Sequence, residues 1–461
     1  MPRIAAILIA LALAAPPAIA AEKFDPQARA AAIAPFVNEE TFAVIRVDLT
    51  RVDVDAIWAK IAEVLRVTED HDVKQLAEEK KMVQPWLADM IKAGGRELFL
   101  VVGTSDPIFE LMFAVVPLTE GADARAIAGL MYSGKADGPT SRPSGERGWR
   151  KGSSPLGEIV RMSGRVGNAV VGGAPAHLER LGALKPARRP ELVKAFAAAG
   201  DTTAQLLLIP TADARKVVEE MMPTLPEKVG GGPVTAVTRG LMWAAVGVDL
   251  PPKMSARLVV QSEDAASAKA LKGVIAHAYA TIEKLPAVRE FFPEVGKLTA
   301  MLTPTLQQDR LTLALGEKDL DTLISDVLVP TMRRARQQAK RRMSAQNVKV
   351  IVGAIHMYAT AHNRRLPESL QVLVQAKMID ARMLTNPARP EMKVGYVYLR
   401  PPLPLDKLPE MGKLILVYEA HDTWKGEIIV GMADGHAEFV GDEGLFKELL
   451  AKSKAIKAKE D

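Results

Sequence analysis

Residues 42–65 read FAVIRVDLTRVDVDAIWAKIAEVL. Phe42 to Leu49 is an apolar, β-branched run and reads as a strand. From Val54 the spacing changes. Ile57, Trp58, Ile61, Val64 and Leu65 recur at helical intervals behind Asp53, a good N-cap. Strand followed by amphipathic helix is the unit that recurs outward from here. A helix over 80–93 closes at Gly94-Gly95, since glycine tolerates the left-handed backbone that ends helices. Strands follow at 98–102 and 110–117, joined through Ser105-Asp106-Pro107 turn chemistry. A helix at 123–131, a Gly/Ser/Pro-rich loop at 133–154, a hairpin at 158–162 and 168–172 and a helix at 174–181 complete a first set.

A second set repeats the order. Strands are expected at 202–209, 241–248 and 256–261, a hairpin at 299–302 and 310–315, and helices at 212–222, 264–282 and 318–328. Two landmarks keep one offset. Gly103 in LVVGTSDP and Gly247 in AAVGVDLPP lie 144 positions apart, as do Gly172 in AVVGGAPAHLERL and Gly316 in TLALGEKDLDTLI. The fold class expected is α+β: two duplicated antiparallel-sheet domains with helices on one face. They are placed at 22–183 and 191–329, with the Pro/Arg-rich stretch 184–190 as linker.

The chain ends define further expectations. Arg3, the apolar run Ile4 to Ala15, Pro16-Pro17 and the small-x-small site Ala18-Ile19-Ala20 follow the layout of a secretory signal peptide over 1–21. That run is shorter than the roughly 20 apolar residues a bilayer core requires. The chain is therefore expected to be exported, periplasmic or extracellular. It has 461 residues and no cysteine, which excludes disulfides, thiolate metal sites and Cys nucleophiles.

The formal charge of +5 becomes +4 once Arg3 leaves with the leader, and the excess is local. Residues 332–343 read MRRARQQAKRRM, six basic residues and no acidic one. Arg333, Arg334, Arg336, Lys340, Arg341 and Arg342 are candidates for contact with an anionic surface. An exported chain meets little nucleic acid. The partners expected are envelope proteins or anionic envelope polymers, with peripheral membrane contact and no nucleic acid.

The pattern changes after Pro330. Apolar positions at 332, 335, 339, 343, 348, 351, 355 and 358 predict one amphipathic helix over 331–363, with Met332 and Met343 in its core stripe. A short helix is expected at 370–376, then strands at 394–399, 414–419, 428–432 and 436–440. Asp434-Gly435 is the tight-turn dipeptide between the last two.

The segment VPTMRRARQQAKRRMSAQNVKVIVGAIHMYATAHNRRLPESLQVLV (329–374), with VGMADGHAEFV (430–440), resembles the pseudopilin-like proteins of type II secretion. More narrowly it is similar to the prepilin-type processing-associated His-x9-Asp-Gly family. Asn347, His356, Tyr358, Pro367, Ser369, Leu370, Asp434, Gly435 and His436 occupy that family's motif positions. The resemblance covers residues 330–461 and implies a long helix carrying a small pseudopilin-like antiparallel sheet. Three features depart from the family. The helix follows another module instead of a prepilin leader and apolar stalk, no Cys stands near Ser344, and His421 precedes Asp434 by 13 positions. An accessory role in a secretion or pilus-like assembly is what the resemblance would add.

Chemistry-bearing patterns are sparse. His421, Asp434 and His436 are the candidate metal ligands, since 434, 436 and 438 share a strand face; the resemblance adds calcium as the possible ion. With a metal there, a secreted metal-dependent hydrolase is the alternative reading. His356 and His362 are six apart, not the four of a helical two-His zinc site. No G-x-S-x-G elbow or Walker loop occurs, and Gly230-Gly231-Gly232-Pro233 lacks the Lys-Ser/Thr of a phosphate loop. The sequence therefore points to a binding or scaffolding protein without catalysis.

Overall fold

The computed structural model describes residues 24–66, 70–103, 112–131, 150–151, 160, 162–181, 184–392, 394–421 and 426–456. The leader expected over 1–21 and most of the 133–154 loop lie outside them. The chain divides into two compact units, residues 1–331 and 332–461.

In the first unit, β1 (Thr41–Asp48) is buried on both faces, which is why its sequence reads as a near-continuous apolar run. The other strands are β2 (Glu97–Gly103), β3 (Met112–Pro117), β4 (Arg150–Lys151), β5 (Met162–Val166), β6 (Ala169–Gly173), β7 (Ala204–Leu208), β8 (Trp243–Asp249), β9 (Ser255–Gln261), β10 (Thr305–Gln307) and β11 (Arg310–Leu315). They form one eleven-stranded sheet in the order β10-β11-β9-β8-β7-β1-β2-β3-β6-β5-β4. All neighbours are antiparallel.

The order is symmetric about the β1/β7 seam. Moving outward, β2, β3, β6 and β5 on one side answer β8, β9, β11 and β10 on the other. The two similar halves are thus not separate sheets. β1 pairs with β7 from Ala43↔Leu208 to Val47↔Ala204. Each would otherwise be a bare apolar edge, with its N–H and C=O groups unpaired.

Helices cover both faces of the first half, where one was expected. Val47, Leu98, Leu100, Ala114 and Val170 pack against Ile57, Trp58, Leu87, Met90 and Ile127 of helices Val54–Arg66, Asp70–Lys92 and Ala124–Met131. On the opposite face Val44, Phe99, Phe113, Val115 and Leu207 meet Ile33, Leu192 and Phe196, from helices Pro26–Ile33 and Glu191–Ala199. Each of these two helices comes directly before the seam strand of its own half. The strand expected at 299–302 is instead the end of helix Val295–Met301. Thr299 is buried there, and its hydroxyl donates to the Glu283 carboxylate of the preceding long helix, so tertiary contact overrides a weak β preference.

A helix spans Val329–Ala361 and continues without a break from Glu317–Thr322 through a π-helical turn at Leu323–Leu328. Pro330 was expected to mark a boundary. The wider turn just before it accommodates a residue with no N–H and a bulky ring, so the helix runs on.

In the second unit the helix lies on a four-stranded antiparallel sheet, β12 (Tyr396–Tyr398), β13 (Ile415–Glu419), β14 (Ile428–Met432) and β15 (Ala437–Val440), in that order. Val348, Ile351, Val352 and Ile355 pack against Leu416, Val417 and Ile429. On the other face Ile415, Ile428, Val430 and Met432 pack against Phe446 and Leu449 of helix Glu443–Lys454. Gly431 sets the closeness of the long helix to the sheet: a Cβ there would meet Val352 and lie 2.8 Å from Val348 Cγ1. Gly431→Ala is therefore expected to cost about 1–3 kcal/mol by overpacking. Gly353→Ala, whose Cβ meets nothing within 4 Å, should raise stability by up to about 1 kcal/mol. Denaturant midpoints of both variants check the contrast.

Candidate functional site

The basic run lies in the part of helix Val329–Ala361 that precedes its first buried residue, Ser344. No residue of the helix before Ser344 is fully buried. Met343 is 57% exposed and Met332 only half-buried, so neither is the core residue expected. Of the six cations, Arg333 and Arg342 are exposed, while Arg334, Arg336, Lys340 and Arg341 are half-buried. Arg341 pairs with Glu427, and its guanidinium stands 5.5 Å from the Phe439 ring centroid. Arg336 and Lys340 are also engaged. The freely presented charge is thus narrower than the count of six suggests.

The three candidate metal ligands are not brought together. Among the described residues, no three His, Asp or Glu side chains gather in a way that could hold a metal ion. His421 sits among rings, 6.2 Å from Tyr418 and 5.5 Å from Phe446, and its Nδ1 is 3.4 Å from the Glu419 carbonyl. Asp434 is committed to its own turn. Its Oδ1 accepts from the His436 backbone N–H at 3.2 Å and lies 2.5 Å from His436 Nδ1, while Gly435 takes φ +102°. Burial works to raise the Asp434 carboxyl, but the bonds and charge from His436 outweigh it and hold the group below the usual range. His436 Nε2 is 3.9 Å from Glu438 Oε2. His362 stacks on Tyr358 at 3.9 Å and bonds its carbonyl at the helix end.

Two polar assemblies went unread in the sequence. In the second unit Glu419 is buried: Asn386 Nδ2 (2.9 Å) and the Ser344 hydroxyl donate to its Oε1, and the Ile429 N–H (3.0 Å) to its Oε2. Tyr396 joins through Ser344 at 3.0 Å and Asn347 at 3.3 Å, and burial raises its phenol. The signal was Ser344, a polar residue spaced with the buried positions 348, 351 and 355 of the helix.

In the first unit Arg46, 1% exposed, bonds Glu97 at 2.5 Å, Asp48 at 3.2 Å and Gln205 at 3.2 Å, and stands 5.6 Å from the Phe24 ring centroid. Arg29 reaches the same Glu97 oxygen at 2.6 Å. The signal was a charge inside FAVIRVDL. The polar groups of both assemblies answer one another and tie helix, strand and loop together.

Burial raises the Glu97 carboxyl, against the lowering pull of Arg46 and Arg29. A carboxyl raised in the folded state contributes stability that is full below the unfolded pKa, near 4.5, and is lost as pH rises through the folded value. The stability difference between Glu97→Gln and the unaltered chain should therefore move toward the variant as pH rises above about 4.5, as followed by thermal unfolding.

Compared with known proteins, the chain matches no family model, no curated protein and no solved structure.

Proposed function

We propose that the chain is an exported, non-enzymatic binding or scaffolding protein of the cell envelope. The helical segment 333–342 makes the contact, and anionic envelope polymers or envelope proteins are the partners. The observation that carries this reading is the placement of Arg333 and Arg342, exposed on a helix segment with no buried residue before Ser344. A cluster of like charge with low local cover attracts anionic surfaces over roughly a Debye length, about 8 Å at physiological salt. The leader-like first 21 residues support the compartment, and among the described residues no helix is long and apolar enough to cross a membrane.

A second reading, an accessory role in a secretion or pilus-like assembly, draws on the long helix carrying a four-stranded antiparallel sheet that ends in the Asp434-Gly435 hairpin. That is the architecture the sequence resemblance implies.

Cosedimentation with isolated envelope material tests the first reading. A cation near an anionic surface contributes about 1 kcal/mol. Replacing Arg333 and Arg342 by Glu should therefore weaken binding at least about 30-fold at low salt. Strong binding that survives the reversal unchanged would sink the electrostatic contact.

A further inference from the structure

Arg389 is 9% exposed, with its Nη1 enclosed and without a hydrogen-bond partner. Among the described residues no carboxylate lies within ion-pair distance of it. Two other deeply held arginines of this chain, Arg46 and Arg189, are treated differently. Arg46 is met by Glu97, Asp48 and Gln205. Arg189 is met by Glu191 and by the carbonyls of Asn38 and Thr41, both at 3.1 Å, and of Ile209. A guanidinium keeps its charge at any working pH, so it cannot escape burial by losing a proton as a lysine does. Holding it dry and unpaired is unfavourable.

The loop that presents Arg389 is braced. Asn386 is fully buried; its Nδ2 donates to Glu419 at 2.9 Å and its Oδ1 accepts from the Ala388 N–H at 2.8 Å. The Arg389 N–H donates to the Asn386 carbonyl, and the Met392 N–H to the Arg389 carbonyl, both at 3.1 Å. Pro387 and Pro390 flank the turn and fix its φ angles. The fold thus spends a hydrogen-bonded loop on placing a cation that no anion among the described residues meets.

We infer that Arg389 is the centre of an oxyanion-binding site in the second unit, taking a carboxylate or phosphate group. The planar fork of N–H donors matches two oxygens of either group. The site is separate from segment 333–342 and stands whether or not that segment binds the envelope.

Thermal unfolding of the purified full chain tests it, in chloride, acetate and inorganic phosphate at equal ionic strength. In chloride alone, Arg389→Met should melt at or above the unaltered chain, because it removes an unpaired charge. Phosphate or acetate should then raise the midpoint of the unaltered chain by at least about 2 °C more than that of the variant, through binding to the native state. The larger of the two shifts identifies phosphate or carboxylate as the ligand class. An Arg333→Glu/Arg342→Glu chain should keep the shift, which separates this site from the helix. A variant that melts well below the unaltered chain in chloride overturns the proposal, since Arg389 would then be structural. Equal shifts in both chains overturn it as well, since they would be a general salt effect.

Discussion

Glu419→Ala is expected to destabilise the second unit by about 3–5 kcal/mol, the range for removing one partner of a buried charged network. The side chain is 4% exposed and accepts from three donors on three different segments: Ser344 on the long helix, Asn386 in the loop before β12, and the backbone of Ile429 in β14. Truncation strands all three donors away from water, and each stranded group costs about 1–3 kcal/mol. Relaxation and water entry reduce the simple sum. Glu419→Gln keeps the shape but turns an amide N–H₂ toward donors on one side, so it should lose less, about 1–2 kcal/mol. Denaturant unfolding gives both numbers. A loss below about 1 kcal/mol for the alanine variant would mean that the network is solvated and does not hold helix to sheet.

Arg46→Met should cost a similar amount in the first unit, about 3–5 kcal/mol, for a related reason. Glu97 lies beneath helix Pro26–Ile33, and losing Arg46 leaves it with Arg29 alone at 2.6 Å. Asp48 and Gln205 lose a donor too, and Gln205 belongs to β7, so the seam between the two similar halves loosens. Arg46→Met combined with Glu97→Leu removes the charge as well as its partner. That double variant should recover at least half of the loss, because a packed apolar pair substitutes for a buried ion pair at little net cost. Additive losses in a double-mutant cycle would contradict the coupling between the two residues.

Local pattern made some of this legible and long-range pairing hid the rest. The α+β class, the four strands of the second unit and the Asp434-Gly435 hairpin follow from alternation and turn chemistry within a few residues. The seam between β1 and β7 does not, because it joins Val47 to Ala204 across an intervening chain with no local signature of that pairing. Pro330 read as a stop because a single proline usually is one, and the π-helical turn that accommodates it leaves no compositional mark. The basic run was visible as a count of charges. Its division into free and engaged cations was not, since Arg341 is met by Glu427, just before β14, and by Phe439 of β15, both far along the chain. His421 looked like a ligand because the sequence places it near Asp434 and His436. Packing against Tyr418 and Phe446 turns it to other company. Arg46 and Ser344 were the readable clues passed over, polar residues at apolar positions, which a fold retains only where partners are built for them.

In-cell crosslinking tests the central claim most directly. A photo-reactive side chain at Ala339, exposed on the cationic segment, leaves all six basic residues in place. The account predicts adducts with envelope proteins or anionic envelope polymers, and their loss when Arg333 and Arg342 are changed to Glu. Adducts confined to cytoplasmic proteins or nucleic acid, or envelope adducts that persist undiminished after the reversal, would contradict it.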